Sequence, residues 1–122
     1  MIPVRLCRIA FVTLLAVGFP AAFLLTGNLL PMVDVQDRLA HGSVYALAAT
    51  LAVLGWGMPR GAWICGGLVA IGCLIEVLQV ALPTGHLAEW GDVAANTCGT
   101  ALGWLTALVL AGLLGRRLPA GG

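Results

Sequence analysis

The chain has no lysine and few charged residues of any kind. Its six basic residues are all arginine, and Asp, Glu, Lys and Arg together make up only 9% of 122 residues. Soluble domains, by comparison, are about a quarter charged. A formal net charge of +1 without a basic cluster does not provide the positive surface that binds nucleic acid. We therefore expect no nucleic-acid partner.

Motifs that bind metals or carry out redox chemistry are also lacking. The chain has no H-E-x-x-H block. Its four cysteines form no CxxC pair and show no zinc-like spacing. They are Cys7, Cys65, Cys73 and Cys98. Cysteine in an apolar segment usually behaves as a small hydrophobic residue. The sequence therefore predicts no metal site and no cofactor.

What the chain does contain is long apolar sequence. Hydrophobic residues make up 61% of it, and its mean hydropathy is +1.04, which is more apolar surface than a soluble fold of this length can bury. Four runs approach the ~20 residues that cross ~30 Å of hydrocarbon: about 9–30, 39–57, 62–82 and 92–115. The pattern predicts an all-α integral membrane bundle of four transmembrane helices, in one domain over 1–122. The segment 118–122, rich in glycine, is expected to be a frayed tail.

The first run has some features of a cleaved signal peptide, because Arg5 and Arg8 precede it. Its length of about 22 residues exceeds the ~7–15 apolar residues of a typical signal peptide, and no A-x-A site closes it. We therefore expect a retained transmembrane helix.

The arginines predict how the helices are oriented, since basic residues near helix ends stay in the cytoplasm. If the N-terminus is inside, only Arg38 is outside, and the other five arginines are inside: Arg5, Arg8, Arg60, Arg116 and Arg117. This bias predicts that both termini are cytoplasmic and that the loops near Asp37 and His86 face outward.

The same topology places every acidic residue and both histidines at the outer end of the helices. Residues three or four positions apart share a helix face, which groups Asp37 with His41 and Tyr45, and Glu76 with Gln79. The candidate binding residues are Asp37, Arg38, His41, Glu76, Gln79, His86, Asp92 and Asn96.

The fourth run carries its polar residues on the face that is expected to pack. Asp92 and Asn96 fall in one narrow stripe with Gly99 and Gly103, and such small-xxx-small pairs let two membrane helices approach closely. We therefore expect the polar groups to point into the bundle and not toward lipid.

Glu76 lies deeper in its run than any other ionisable residue. It precedes Leu82 by six positions, or about 9 Å along a helix at ~1.5 Å per residue. A charged carboxylate within the membrane costs about 2–3 kcal/mol or more unless it is paired. Glu76 should therefore have a partner or a chemical role, and Glu76 and His41 are the candidate catalytic pair.

Four short blocks resemble the VanZ-like family of bacterial membrane proteins, which has D-[KR]-x-x-H, E-x-x-Q, P-x-x-R and D-x-x-x-N-x-x-G blocks on four membrane helices. The corresponding segments in this chain are 37–41, 76–79, 83–86 and 92–99. The resemblance implies a cell-envelope protein, and the founding member of the family is associated with resistance to the glycopeptide teicoplanin. This chain departs from the pattern at His86, where the family usually has arginine. If that position binds an anion, the binding here should be weaker or dependent on pH.

Three functions remain open at this point. The polar residues could form a structural network that fixes how the helices pack. They could instead bind an envelope component at the outer surface: a lipid head group, a peptidoglycan precursor or a glycopeptide. They could also belong to an enzyme that acts on a lipid-linked substrate through Glu76 and His41, or, less favoured, through a metal held by these two residues and Asp92. A channel or proton-coupled transporter would need more helices, supplied by oligomerisation.

Overall fold

The protein is a bundle of membrane-length helices. The structure, a computed structural model, describes residues 3–21, 34–81, 90–115 and 117–119. Helix α1 (Val4–Thr13) continues into a π-helical segment (Leu14–Gly18), and the other helices are α2 (Asp34–Trp56), α3 (Met58–Ala81) and α4 (Trp90–Leu113). Four spans are long and apolar enough to cross a membrane: Val4–Ala21, Val35–Trp56, Met58–Leu78 and Trp90–Leu113. The predicted all-α fold with four transmembrane helices is confirmed.

All four helices begin before the apolar runs that predicted them, and the differences are largest at α1 and α2. Helix α1 begins at Val4 instead of 9, and α2 begins at Asp34 instead of 39. Hydropathy marks only the part of a helix that lies in hydrocarbon. The backbone hydrogen bonds of the helix continue into the interfacial layer, where charged side chains such as Arg5 and Arg38 remain hydrated.

Helices α2 and α3 are joined through a single residue, Gly57. Its φ of +81° lies in the left-handed region that glycine adopts without strain. The apolar runs 39–57 and 62–82 left residues 58–61 outside both predicted helices, and this boundary is wrong because α3 already begins at Met58. Pro59 fits the first turn of α3, where the backbone N–H that it lacks has no helical partner.

Helix α2 is the centre of the bundle, and α4 packs closely against it. A Cβ atom at Gly99 would overlap the carbonyl oxygen of Gly42, and one at Gly103 would overlap that of Ala46. The Thr50 hydroxyl lies in the same interface and donates to the carbonyl oxygens of Ala46 (2.8 Å) and Gly103 (3.0 Å). Both glycines of the predicted packing stripe thus lie at this contact between α4 and α2.

Helix α1 is attached to α2 by both apolar and polar contacts. Cys7 and Phe11, four residues apart, are 1% and 6% exposed. Between them, Arg8 donates from Nε to the carbonyl oxygen of Gly55 at 2.8 Å and lies 5.4 Å from the ring centre of Trp56. A cation at the C-terminal end of α2 also stabilises that helix through its dipole.

The π-helical segment of α1 ends just before Pro20. Proline has no N–H for the carbonyl oxygen of Ala16 and its ring crowds that oxygen, so the helix must adjust locally. The adjustment leads directly into Phe19, whose ring lies 5.1 Å from that of Tyr45 on α2.

The C-terminal residues 117–119 fold back onto the bundle. Leu118 packs against the core cluster that contains Cys7 and Ala107, and the carbonyl group of Pro119 lies so close to Gly57 that a Cβ there would overlap it. The expectation of a frayed tail is therefore wrong for Leu118 and Pro119, because the leucine has apolar surface to bury. Residues 120–122 lie outside the described part of the chain.

The helices alternate in direction and thus separate the charges onto two ends. We call the end with Arg5, Arg8 and Arg60 the arginine end. At the opposite end, α2 and α4 begin and α3 ends. We call it the acidic end, because it carries Asp37, Glu76 and Asp92. The candidate site lies there.

Candidate functional site

The acidic end encloses a small cavity between the helices. Its volume is about 30 Å³, enough for about one or two water molecules. The polar side chains around it come from α2, α3 and α4, and the apolar ones close its remaining sides. The lining residues are Phe19, His41, Val44, Tyr45, Gly72, Ile75, Glu76 and Asn96.

Three of the polar residues that line the cavity are almost completely buried. Glu76 is 7% exposed, Asn96 is 4% exposed and Tyr45 is 4% exposed. Val77 and Leu78, which follow Glu76 on α3, are 64% and 47% exposed. Glu76 therefore lies on the inward face of its helix, and its burial is within the protein, as its position in the apolar run predicts.

Asn96 carries the clearest sign that the cavity binds something. Its Oδ1 atom is buried and has no hydrogen-bond partner among the described residues. A buried acceptor without a partner costs about 1–3 kcal/mol, so native proteins usually supply a donor from the chain, from water or from a ligand. A group that enters the cavity can supply this donor.

Gly72 makes room for the polar groups of the cavity. A Cβ at this position on α3 would lie 2.9 Å from Tyr45 Oη and 3.2 Å from Asn96 Nδ2, which is too close for either atom. The absence of a side chain at Gly72 therefore lets the phenol of α2 and the amide of α4 lie together beside α3.

Two polar side-chain contacts lie beside the cavity: a histidine–carboxylate contact and an ion pair. On α2, His41 Nε2 lies 3.5 Å from Asp37 Oδ1, one helical turn away. Arg38 Nε lies 3.9 Å from Asp92 Oδ1 and links α2 to α4. The side chains of Arg38 and Asp37 are 43% and 33% exposed, so these pairs contribute at most about 1 kcal/mol each to stability. They also place charged side chains one helical turn from His41 and Asn96, because Asp37 precedes His41 and Asp92 precedes Asn96 by four residues.

Gly91 gives the Arg38 guanidinium its place. A Cβ at Gly91 would lie 2.6 Å from both Nε and Cζ of Arg38, so any larger residue would displace the side chain. Neither Gly91 nor Gly72 was predicted from the sequence, and Tyr45 was placed on the helix face of His41 but not in the site. Only their positions in the sequence could have indicated that these two glycines belong to the site: Gly72 is one helical turn before Glu76, and Gly91 directly precedes Asp92.

The predicted residues thus fall into two groups and a remainder. His41, Glu76 and Asn96 line the cavity, and Asp37, Arg38 and Asp92 form its rim. The remaining candidates, the Gln79 side chain, His86 and the turn 83–86, lie outside the described residues, and their roles stay predictions. Within the described part of the chain, no three His, Cys, Asp or Glu side chains are close enough to hold a metal ion; His41, Glu76 and Asp92 therefore do not form the metal site considered above.

The cavity combines one acidic side chain with neutral hydrogen-bonding groups. Glu76 and Asn96 supply acceptors, Tyr45 can donate or accept, and His41 offers a basic nitrogen. Such a site can hold a small cationic or hydroxyl group, and the shared cavity also brings Glu76 and His41 together as an acid–base pair. In comparisons with protein-family models, with curated proteins and with solved structures, the chain matches none.

Proposed function

We propose that this multi-pass membrane protein belongs to the bacterial cell envelope and that its acidic end binds the polar head group of an envelope lipid or lipid-linked precursor. The observation that carries the proposal is Asn96 Oδ1, a buried acceptor without a described partner, beside the buried carboxyl group of Glu76. A hydrogen-bond donor of a ligand in the cavity would satisfy Asn96 Oδ1.

The exposure of the polar residues supports a site that opens at the end of the bundle. Side-chain exposure rises from the buried Glu76 and Asn96 to 19% at His41 and 43% at Arg38. A head group could therefore place its cationic or hydroxyl part inside and its anionic part at Arg38, whose planar guanidinium suits phosphate.

The motif resemblance supports the cell-envelope setting. The blocks around Asp37, Glu76 and Asp92 resemble those of the VanZ-like family, and the arginine distribution favours an outward-facing acidic end. A protein that binds an envelope precursor at the outer face of the bacterial cytoplasmic membrane could mask or alter the target of a glycopeptide. We therefore extend the proposal to tolerance of teicoplanin.

A purely structural network is a weaker explanation of the same residues. The packing of α2 on α4 already follows from the close contacts of Gly99 with Gly42 and of Gly103 with Ala46. A polar network selected only for packing would also satisfy its own hydrogen bonds, whereas Asn96 Oδ1 has no described partner.

An enzyme is the second candidate, favoured by one observation: Glu76 and His41 line the same cavity. A carboxyl group and an imidazole in contact with one substrate group could transfer a proton to or from it. Incubation of the purified protein with labelled lipid-linked precursors distinguishes the two candidates, because only an enzyme would convert them.

Replacement of Glu76 tests the proposal. Glu76→Gln keeps the size and hydrogen bonding of the side chain and removes its charge. We expect the variant to fold but to copurify with much less of the lipid that mass spectrometry finds on the wild type, and to lose any teicoplanin tolerance that expression of the wild type confers. Ser43→Ala is the matched control, because Ser43 is an exposed polar residue near the same end of α2 that does not line the cavity.

Two results would contradict the proposal. One is wild-type lipid retention in Glu76→Gln. The other is a loss of function that only parallels a fall in the unfolding temperature, which would favour the structural network. If Glu76→Gln does not fold, Arg38→Gln replaces it, because Arg38 is partly exposed and its loss should weaken binding without disturbing the core.

A further inference from the structure

We propose that the site has an apolar half, in which the hydrocarbon chain of the ligand lies between α1 and α3. Three apolar residues that line the cavity form this half, and we call the space beside them the seam: Phe19, Val44 and Ile75. The ligand is then an amphiphile that reaches the cavity from within the membrane. This inference rests on the proposed function and adds to it the residues that bind the chain.

The backbones of α1 and α3 lie apart, so only side chains fill the space between these two helices. No Cα atom of residues 4–18 lies within 8 Å of a Cα atom of α3. Toward the arginine end, this space is closed by apolar packing, because Phe11 of α1 and Leu68 of α3 belong to one core cluster. Toward the acidic end, Phe19 and Ile75 line the cavity instead. The seam therefore leads to the polar site.

The seam lies at the depth of the hydrocarbon layer. Trp90, at the start of α4, and Trp63, near the start of α3, are 88% and 85% exposed, as is typical of tryptophans that anchor helices at the two membrane interfaces. Asn96 lies six residues beyond Trp90, or about 9 Å along the helix, and Ile75 lies twelve residues beyond Trp63, or about 18 Å. Both positions fall within ~30 Å of hydrocarbon. A ligand that enters through the seam therefore comes from the lipid.

Asn96 is the polar group that such a ligand meets. Its side chain is 4% exposed, and its Oδ1 atom has no hydrogen-bond partner among the described residues. It lines the same cavity as Phe19, Val44 and Ile75. One amphiphile can thus donate a hydrogen bond to Asn96 and place its chain in the seam, whereas a small water-soluble molecule would occupy only the polar half of the site.

Phe19 forms the wall between the polar groups and the seam. Its ring lies 5.1 Å from that of Tyr45, and Tyr45 is buried whereas Phe19 is partly exposed. Phe19 also follows the π-helical segment and precedes Pro20, at a place where the regular backbone hydrogen bonds of a helix are interrupted. Such π-helical turns are frequent at functional sites. The outer side of the Phe19 ring is thus the surface against which a chain packs.

Photolabelling of the full chain in bilayers tests the inference. The probes are phosphatidylethanolamine and phosphatidylglycerol with a diazirine midway along one acyl chain, in vesicles made from these two lipids. We expect label at Phe19 and Ile75 to fall by about fivefold or more in Asn96→Leu, because this change removes the acceptor that holds the head group. Label at Leu102, a residue of α4 that is 60% exposed and does not line the cavity, should not change.

Filling the seam is an independent test that does not depend on the head group of the probe. Ile75→Trp adds bulk in the seam and leaves Asn96 in place, so the lipid that copurifies from cells should fall by about fivefold or more. Leu74→Trp is the matched control, because Leu74 is 56% exposed and does not line the cavity; it should retain as much lipid as the wild type. Photolabelling of Asn96→Leu decides the question if Ile75→Trp does not fold, and the reverse also holds.

The outcomes distinguish the inference from the proposed function. Unchanged label at Phe19 and Ile75 in Asn96→Leu, or wild-type lipid retention in Ile75→Trp, overturns the inference. If retained lipid falls in Asn96→Leu but not in Ile75→Trp, the head group is bound without a chain in the seam, and the proposed function stands alone. If neither variant changes the retained lipid, both the inference and the proposed function fail.

Discussion

At the scale of single residues, Glu76 and Gly72 show what a sequence reveals and what it conceals. Glu76 is visible in the sequence because an ionisable residue in an apolar run is costly wherever it points. Gly72 is not visible, because its role depends on Tyr45 and Asn96, which reach it from two other helices. One glycine among the 17 of the chain carries no signal of its own.

Gly72→Ala should therefore damage the site more than the fold. The new Cβ would lie 2.9 Å from Tyr45 Oη and 3.2 Å from Asn96 Nδ2, so these groups must shift and the cavity must change shape. We expect a loss of about 1–2 kcal/mol in the free energy of unfolding and a marked loss of retained lipid, measured by thermal unfolding in detergent and by lipid mass spectrometry.

Gly67→Ala is the control for this prediction, since a Cβ at Gly67 meets no atom within 4 Å. It should leave both measurements unchanged. Normal lipid retention by Gly72→Ala would show that the arrangement of Tyr45 and Asn96 does not matter for binding.

At the scale of helices, one of the two faces in the contact between α2 and α4 could be predicted from the sequence. The spacing of Gly99 and Gly103 marked the packing face of α4 in the sequence. The opposing face of α2 was not marked, because it consists of Gly42, Ala46 and Thr50, of which only the first is a glycine. Which helix pairs with α4 is a property of three-dimensional packing, and spacing along one helix does not encode it.

Gly103→Ala should destabilise the bundle by about 1–3 kcal/mol, because the added Cβ would overlap the carbonyl oxygen of Ala46 and force the helices apart. Separation would also weaken the hydrogen bond from Thr50 Oγ1 to the Gly103 carbonyl oxygen. Thermal or denaturant unfolding in detergent measures the effect. Gly112→Ala on the same helix is the control, as a Cβ there meets nothing within 4 Å; equal effects of the two changes would refute the close contact.

At the scale of the whole molecule, the fold was easier to predict than the site. Four apolar runs give four helices because lipid leaves the backbone no other way to satisfy its hydrogen bonds. Helix starts were predicted too late, at α1 and α2, because hydropathy does not register helical turns in the interfacial layer. His41, Glu76 and Asn96 were candidate site residues in the sequence, but the shape of the cavity that they line could not be predicted, because it forms only when three helices are in place.

The separation of charges between the two ends leads to the central claim, that the acidic end faces out of the cell and meets envelope components there. Labelling of introduced cysteines with a membrane-impermeant maleimide in intact cells tests this claim most directly. The background is a chain whose four native cysteines are replaced by alanine. Val35→Cys reports on the acidic end and Met58→Cys on the arginine end; these side chains are 63% and 36% exposed, and no arginine is altered.

We expect Val35→Cys to react from outside the cell, and Met58→Cys to react only after the membrane is permeabilised, because arginines near helix ends favour the cytoplasmic side of a membrane. The reverse pattern, with Met58→Cys labelled in intact cells and Val35→Cys protected, would contradict the outward-facing site and the function proposed for it.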